Sequence, residues 1–181
     1  MNASRSITIL GATGSIGASA LDVIARHAGR YRIHALTAQS SVEDLADAAA
    51  RFNAEVAVIG DPTLERPLRD ALRARGAKTV ARAGRRALVE AAQAPECDTV
   101  LAAIVGAAGL EATLAAAEAG KRLLLANKEA IVCAGALLMA AVKRGGGTLL
   151  PVDSEHSAIH QCLAGVRESE RADARLILTA S

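Results

Sequence analysis

Short runs of β-branched and aliphatic residues alternate with alanine-rich helical stretches from the start of the chain onward. Nothing else in the sequence limits the fold as strongly. The pattern predicts strands over 6–10, 32–37, 56–59, 79–81, 99–102, 122–125, 148–152 and 175–179. Helices are predicted between them over 16–27, 42–52, 64–75, 86–93, 110–119, 131–144 and 157–164. A parallel neighbour needs a crossover connection, and a helix in that crossover covers the sheet, so the pattern implies linked βαβ units. The expected class is α/β: a doubly wound, mostly parallel sheet with helices on both faces. Material for its core is ample, since 51% of 181 residues are hydrophobic, drawn mainly from Ala, Leu, Val and Ile. Ser41 is placed to cap the second helix, and Gly109 and Gly120 bracket the fifth.

The first unit carries the clearest chemistry. In "ITILGATGSIGAS" a strand runs into Gly11-Ala12-Thr13-Gly14-Ser15-Ile16-Gly17 and then an amphipathic helix. Gly11 suits a tight turn, Gly14 lets backbone approach a pyrophosphate, and Gly17 lets the helix sit close on the sheet. The helix start then offers unpaired N–H groups and the positive end of its dipole to phosphate. Thr13 and Ser15 add hydroxyl donors. This strand–turn–helix context makes the region Rossmann-like and predicts a bound dinucleotide. An NAD site places an acid at the end of the second strand for the ribose 2′-hydroxyl. Here that stretch reads Leu36-Thr37-Ala38-Gln39-Ser40-Ser41, without an acid, which favours NADP with Ser40 and Ser41 donating to the 2′-phosphate.

Several other classes are disfavoured. Net charge is +2 and aromatics are 1% of residues (Tyr31 and Phe52), so there is neither a strong polyanion field nor a stacking platform for nucleic acid. The segment 65–86 has eight basic residues against two acidic, and reads as the solvated face of a helix and loop. The longest apolar run, 130–142, is short of the ~20 residues needed to span a bilayer. Neither a targeting segment nor a membrane partner is therefore expected. Cys97, Cys133 and Cys162 form no CxxC pair and suit reduced thiols in a cytoplasmic protein. "KRGGGTLL" reads as a flexible junction, giving an expected cofactor-binding domain over 1–147 and the start of another over 148–181. The ending "RLILTAS" reads as a strand entering a turn, and the expectation is that a longer protein continues from it.

Two further strand ends concentrate polar groups. The small residues of 102–109 suit backbone passing close to a flat ring such as nicotinamide, or close helix–sheet packing. Then Ala126-Asn127-Lys128-Glu129 sits at the mouth of a helix, where open α/β sheets bind ligands. Lys128 suits a phosphate or carbonyl, and Asn127 and Glu129 suit hydroxyls of cofactor or substrate; a surface salt bridge is the plainer alternative. "LLPVDSEHSAIHQC" packs Asp153, Glu155, His156 and His160 together after Pro151. Pro151 biases Leu150 toward extended backbone, in which residues two apart share a face, so Asp153 and Glu155 are expected to converge. Such a pair suits Mg²⁺ or Mn²⁺, or else one carboxyl is raised in pKa by the other. Asp153 or Ser154 as a helix cap is compatible with either.

Three stretches, "ILGATGSIG", "AAIVGAAGL…LLLANKEA" and "LLPVDSEHSAIHQ", resemble in order the cofactor and active-site motifs of 1-deoxy-D-xylulose 5-phosphate reductoisomerases. The likeness runs from Ile7 to Ser181. It implies an NADPH-dependent enzyme of the non-mevalonate isoprenoid route. Such an enzyme uses Mg²⁺, Mn²⁺ or Co²⁺ while it rearranges and reduces its substrate to 2-C-methyl-D-erythritol 4-phosphate. Carried over by motif, Thr13, Gly14, Ser15, Ile16, Asn127 and Glu129 bind NADPH. Gln39, Ser40 and Ser41 occupy a cofactor position where the family usually has Gly, then Arg or Lys, then Asn. Asp153 and Glu155 are implied metal ligands, and Lys128, Ser154, Glu155 and Ser181 implied substrate contacts, with Lys128 and Glu155 catalytic. The resemblance also implies a phosphorylated sugar substrate, a homodimer at full length, and a second, α+β catalytic domain of which 148–181 is only the beginning. The third acidic ligand and the lid lie outside this stretch, so the 181 residues alone are expected to be inactive. The rival readings are another two-domain NADP-dependent dehydrogenase, of semialdehyde or homoserine type, and a nucleotide-binding module without catalysis. The semialdehyde type needs a nucleophilic cysteine, for which Cys133 and Cys162 have no supporting context.

Overall fold

The structure is a computed structural model and describes residues 4–27, 29–171 and 173–177. Its strands are β1 (Arg5–Leu10), β2 (Tyr31–Ala38), β3 (Val56–Ile59), β4 (Val80–Ala83), β5 (Thr99–Ala102), β6 (Arg122–Leu125) and β7 (Thr148–Pro151). They form one sheet in the order β4-β3-β2-β1-β5-β6-β7, and every neighbouring pair is parallel. The connecting helices are α1 (Ser15–Arg26), α2 (Val42–Arg51), α3 (Glu65–Ala74), α4 (Gly84–Gln93), α5 (Leu110–Glu118) and α6 (Lys128–Gly145), with α7 (Ser154–Leu163) after β7. The alternation in the sequence thus produces the doubly wound, Rossmann-like sheet it predicts.

Side chains alternate across each strand, and the two sets meet different helices. Ile7, Ile9 and Leu101 join the buried cluster of α1, α2 and α3, whereas Leu10, Val100 and Ala102 join that of α4, α5 and α6. Strand β2 breaks this alternation once. Ile7 pairs with Ile33 and Thr8 with Ala35, so His34 is the extra residue of a bulge. Ile33 and Leu36, three apart, consequently face the same helices. The buried His34 ring is satisfied at 2.9 Å by Glu55.

The glycine run after α6 behaves differently from the expected flexible junction. A Cβ on Gly145 would lie 2.3 Å from the Ala117 carbonyl oxygen, and one on Gly147 2.5 Å from that of Lys121. These glycines let the turn into β7 close onto the turn into β6, and Thr148–Pro151 continues the sheet. Helices α6 and α7 also start about one turn earlier than the pattern predicts, at Lys128 and Ser154, and α4 starts two residues earlier, at Gly84. Helix α6 has a non-helical residue at Ala134, which separates its first turns from the rest. No helix among the described residues is long and apolar enough to cross a membrane.

The strand expected over 175–179 is absent from its described part: 174–177 is irregular, and Leu176 and Ile177 are exposed. A strand needs a partner for its backbone groups, and β-rich composition alone cannot provide one. Residues 178–179 of that expectation, and Ser181, lie outside the described residues.

The eight basic residues of 65–86 lie mainly on the surface as expected, and several meet acids of neighbouring turns. Arg75 bonds both Glu43 (2.7 Å) and Asp47 (2.6 Å) of α2, which holds its guanidinium firmly protonated. Cys97 is buried, and burial pushes its thiol above the usual range. Cys133 and Cys162 are exposed. A thiol reagent at neutral pH should therefore modify two cysteines per folded chain and the third only on unfolding. A third rapid equivalent in native protein would overturn this. Because the folded pKa is raised, the contribution of buried Cys97 is fully present below the ordinary thiol pKa of about 8.5 and is lost as pH climbs through the higher folded value.

Candidate functional site

The order of the strands reverses at β1, which lies between β2 and β5, so their carboxyl-end loops diverge and leave a crevice. The loop after β1 is pinned from two sides. Gly11 has φ +86°, and a Cβ there would sit 2.7 Å from the Ala103 carbonyl oxygen in the loop after β5. Its N–H donates to Thr37 Oγ1 (2.9 Å), and the Ala12 N–H donates to the Thr37 carbonyl (2.7 Å). Thr37 is fully buried and sequence pattern gave no sign of it, because its role depends on which strand lies next to β1.

Helix α1 begins with Gly14 as its N-cap, without a side-chain cap and without an acid in its first turn. The N–H groups of Ser15, Ile16 and Gly17 have no backbone partner among the described bonds. Exposed Gly14, Ser15 and Ile16 and half-buried Thr13 surround them. The local field and the free donors both suit an anion. Gly17 is buried, and a Cβ on it would lie 2.3 Å from the Gly11 carbonyl oxygen. Glycine at this position is what lets helix and loop share the space.

At the end of β2, Gln39, Ser40 and Ser41 are exposed. Ser41 occupies the N-cap of α2, as expected, though its hydroxyl makes no capping bond. The Gln39 side chain folds over Gly60 at the end of β3: a Cβ on Gly60 would meet Gln39 Oε1 at 2.3 Å. From Gln39 and Gly60 a cleft of about 800 Å³ extends between α4 and α5, past Arg85, Leu88, Leu110 and Glu111.

Asn127 is buried and caps α6, accepting from the Ala130 N–H (3.0 Å). Its amide nitrogen donates to the carbonyls of Ile104 and Gly106. The side chain thus ties the start of α6 to the small-residue loop after β5. Lys128 is exposed and Glu129 half-buried in the first turn of α6.

The end of β7 lies beside the end of β6, because the Val152 N–H donates to the Leu125 carbonyl (2.8 Å). Asp153 then caps α7: its Oδ1 accepts from the His156 N–H (3.2 Å) and lies 2.7 Å from His156 Nδ1. The helix takes over at Ser154, so the extended stretch expected to make Asp153 and Glu155 converge is not formed. Asp153 stays outside the helix as its N-cap (ψ 139°), while Ser154 and Glu155 are its first two residues, so the pair straddles a helix start instead of sharing a pleat. The Asp153 carboxyl is also lowered rather than raised in pKa. The largest cause is the His156 backbone N–H, with the His156 side chain and the charges of His156 and Lys128 adding to it.

What the segment presents is an ionised, mostly covered Asp153 beside exposed Ser154 and Glu155. The described bonds to Asp153 go to Oδ1, leaving Oδ2 without a protein partner among the described residues. Two hard-oxygen donors fit part of a Mg²⁺ or Mn²⁺ shell, whose remaining positions are commonly water or substrate oxygens. No group of three metal-ligating side chains occurs among the described residues. His160 is exposed on α7 and makes no bond among those described.

The sequence profile of the 1-deoxy-D-xylulose 5-phosphate reductoisomerase family matches residues 7–135. The enzyme of that name from Janthinobacterium sp. (strain Marseille) is 58% identical over 159 residues, covering 88% of this chain and 41% of its own length. That from Ralstonia nicotianae is 56% identical over 176 residues, covering 97% of this chain and 45% of its own. Among solved structures, the Zymomonas mobilis reductoisomerase in complex with NADPH superposes with a TM-score of 0.88 at 53% identity, covering 95% of this chain and 44% of that one. A reductoisomerase in complex with NADPH, fosmidomycin and magnesium gives 0.86 at 48% identity, covering 93% and 40%. The chain thus spans under half the length of these relatives.

Proposed function

The chain belongs to the 1-deoxy-D-xylulose 5-phosphate reductoisomerase family, and from that membership we propose that it forms the NADPH-holding part of such an enzyme, with the first segment of its metal and substrate site. The activity proposed for the whole protein is isomerisation and reduction of 1-deoxy-D-xylulose 5-phosphate to 2-C-methyl-D-erythritol 4-phosphate. One observation carries the reading: four neighbouring strands, β1, β5, β6 and β7, end side by side on the glycine cradle, the small-residue loop, Asn127-Lys128-Glu129 and Asp153-Ser154-Glu155. NADPH bound at the glycine cradle would supply a hydride, and a divalent ion held by Asp153 and Glu155 would supply Lewis-acid polarisation of substrate oxygens.

The chain's own residues divide the work. Thr13, Gly14, Ser15 and Ile16 hold the cofactor's phosphates through the open first turn of α1. Gln39, Ser40 and Ser41 edge the adenosine end. Asn127 acts by holding the loop after β5 against α6, and Glu129 faces the cofactor from the same turn. Asp153 and Glu155 offer the metal oxygens from the start of α7. Lys128, Ser154, Glu155 and Ser181 are assigned to the substrate. Functionally we divide the chain into 1–147 for the cofactor and 148–181 for the start of the catalytic portion, whose first strand β7 is shared with the sheet. Family membership further leads us to propose a cytoplasmic homodimer at full length.

The reading is tested on the 181-residue chain. It should bind NADPH, seen as enhanced nicotinamide fluorescence, and should bind Mn²⁺ weakly, with Asp153→Ala and Glu155→Ala each weakening the Mn²⁺ titration. It should form no product from substrate with both present, since its relatives carry more than half their length beyond this match. Failure to bind NADPH overturns the cofactor role; turnover by these residues alone overturns the division of labour.

A further inference from the structure

We propose that Arg85, in the first turn of α4, receives the 2′-phosphate of NADPH, with Gln39 beside it, in place of a basic residue at the end of β2. The inference rests on the NADPH reading above and goes beyond it to the residue that selects the phosphorylated cofactor. The stretch Gln39-Ser40-Ser41 has no cation, so a dianionic 2′-phosphate there needs its charge met from elsewhere. The fold provides one source. Strand β4 lies two places from β2 across β3, and the turn after it brings α4 to the cleft that begins at Gln39 and Gly60. Arg85 is the single cation among the described residues lining that cleft.

Its side chain is suitably placed and suitably free. Arg85 is 83% exposed and pairs through Nε with Glu111 of α5, on the same cleft. Its two Nη groups make no bond among those described, so the planar fork is open to a second, bidentate partner. Arg86, next to it, is instead paired with Glu90 along the helix (2.8 Å) and does not line the cleft. The Gln39 amide is held over Gly60 and adds a neutral donor at the near wall. Glu111 sets the counterweight. It screens Arg85 in the free protein, and the incoming phosphate competes with it for the guanidinium.

The test is a pair of fluorescence titrations, NADPH and NADH, on the chain and its variants. For Arg85→Ala, affinity for NADPH should fall tenfold to a hundredfold, about the range of one lost charge-assisted contact, while affinity for NADH stays the same. Arg85→Lys should recover only part of the loss, since it restores charge without the fork. Glu111→Gln should tighten NADPH and leave NADH unchanged. Thermal melts of the variants should match the parent, because both side chains are exposed. Equal loss for both cofactors, or no loss for either, overturns the assignment of Arg85. So does a parent chain that binds both cofactors equally well. A parent chain that binds neither overturns the NADPH reading and this inference together.

Discussion

Gly17→Ala should unfold the chain more easily and abolish measurable NADPH binding, although the substitution improves helix propensity. In an unconstrained helix the change from glycine to alanine is worth about 1 kcal/mol in favour of folding. Here the new methyl would lie 2.3 Å from the Gly11 carbonyl oxygen and 2.6 Å from the Ala12 Cα, both backbone atoms that no rotamer change can move aside. Gly11 in turn cannot retreat, because its N–H is held by Thr37 and its α-carbon faces the Ala103 carbonyl. Helix and loop must separate, at a cost of about 1–3 kcal/mol for the overpacking alone. The separation displaces the N–H groups of Ser15 and Ile16 from the phosphates. We expect a lower Tm than the parent and at least a hundredfold weaker NADPH affinity. Gly14→Ala is the control, since a Cβ there meets only the Gly11 carbonyl oxygen at an ordinary 3.5 Å and should perturb the melt far less. A Gly17→Ala chain as stable as its parent would show that the loop has freedom the structure denies it.

Why α1 and its loop were legible in the sequence, and other parts were not, has a physical basis. The glycine cradle is local: turn, close approach and helix start all fall within seven residues, so spacing alone encodes them. The same holds for the strand–helix alternation, whose periods are local properties. The starts of α6 and α7 were displaced by a turn because polar residues such as Lys128, Glu129, Ser154 and Glu155 look like loop composition. Asn127 and Asp153 nevertheless supply capping side chains that let the helices begin there. That displacement also carried the error over Asp153 and Glu155, which were expected on a pleat and instead flank a helix start. Other features are non-local and leave no mark on any window of sequence. Thr37 bonding Gly11, the close contact of Gly145 with the turn after α5, and Arg85 sharing a cleft with Gln39 all depend on the order of strands in the sheet.

Asn127→Asp should be among the most damaging single-atom changes in the chain, and its damage should fade at low pH. The replacement keeps size and shape and can still accept from the Ala130 N–H, so helix capping survives. What it loses are the two donors to the carbonyls of Ile104 and Gly106. An ionised carboxylate there would face two carbonyl oxygens in a side chain that is only 2% exposed. Leaving such a charge buried and unpaired costs about 3–5 kcal/mol. The sign of the pH dependence follows from that burial: the new carboxyl is raised in pKa on folding, so the stability of the variant is greatest below the ordinary aspartate value of about 3.9 and falls as pH rises through the folded one. A protonated carboxyl also regains one of the two donors. Urea melts of parent and variant between mildly acidic and neutral pH should therefore diverge as pH increases. NADPH affinity should drop with the same trend, because the loop after β5 is no longer tied to α6. A constant difference between the two chains across that range would mean that the amide donors contribute nothing specific, and that Asn127 is present only as a cap.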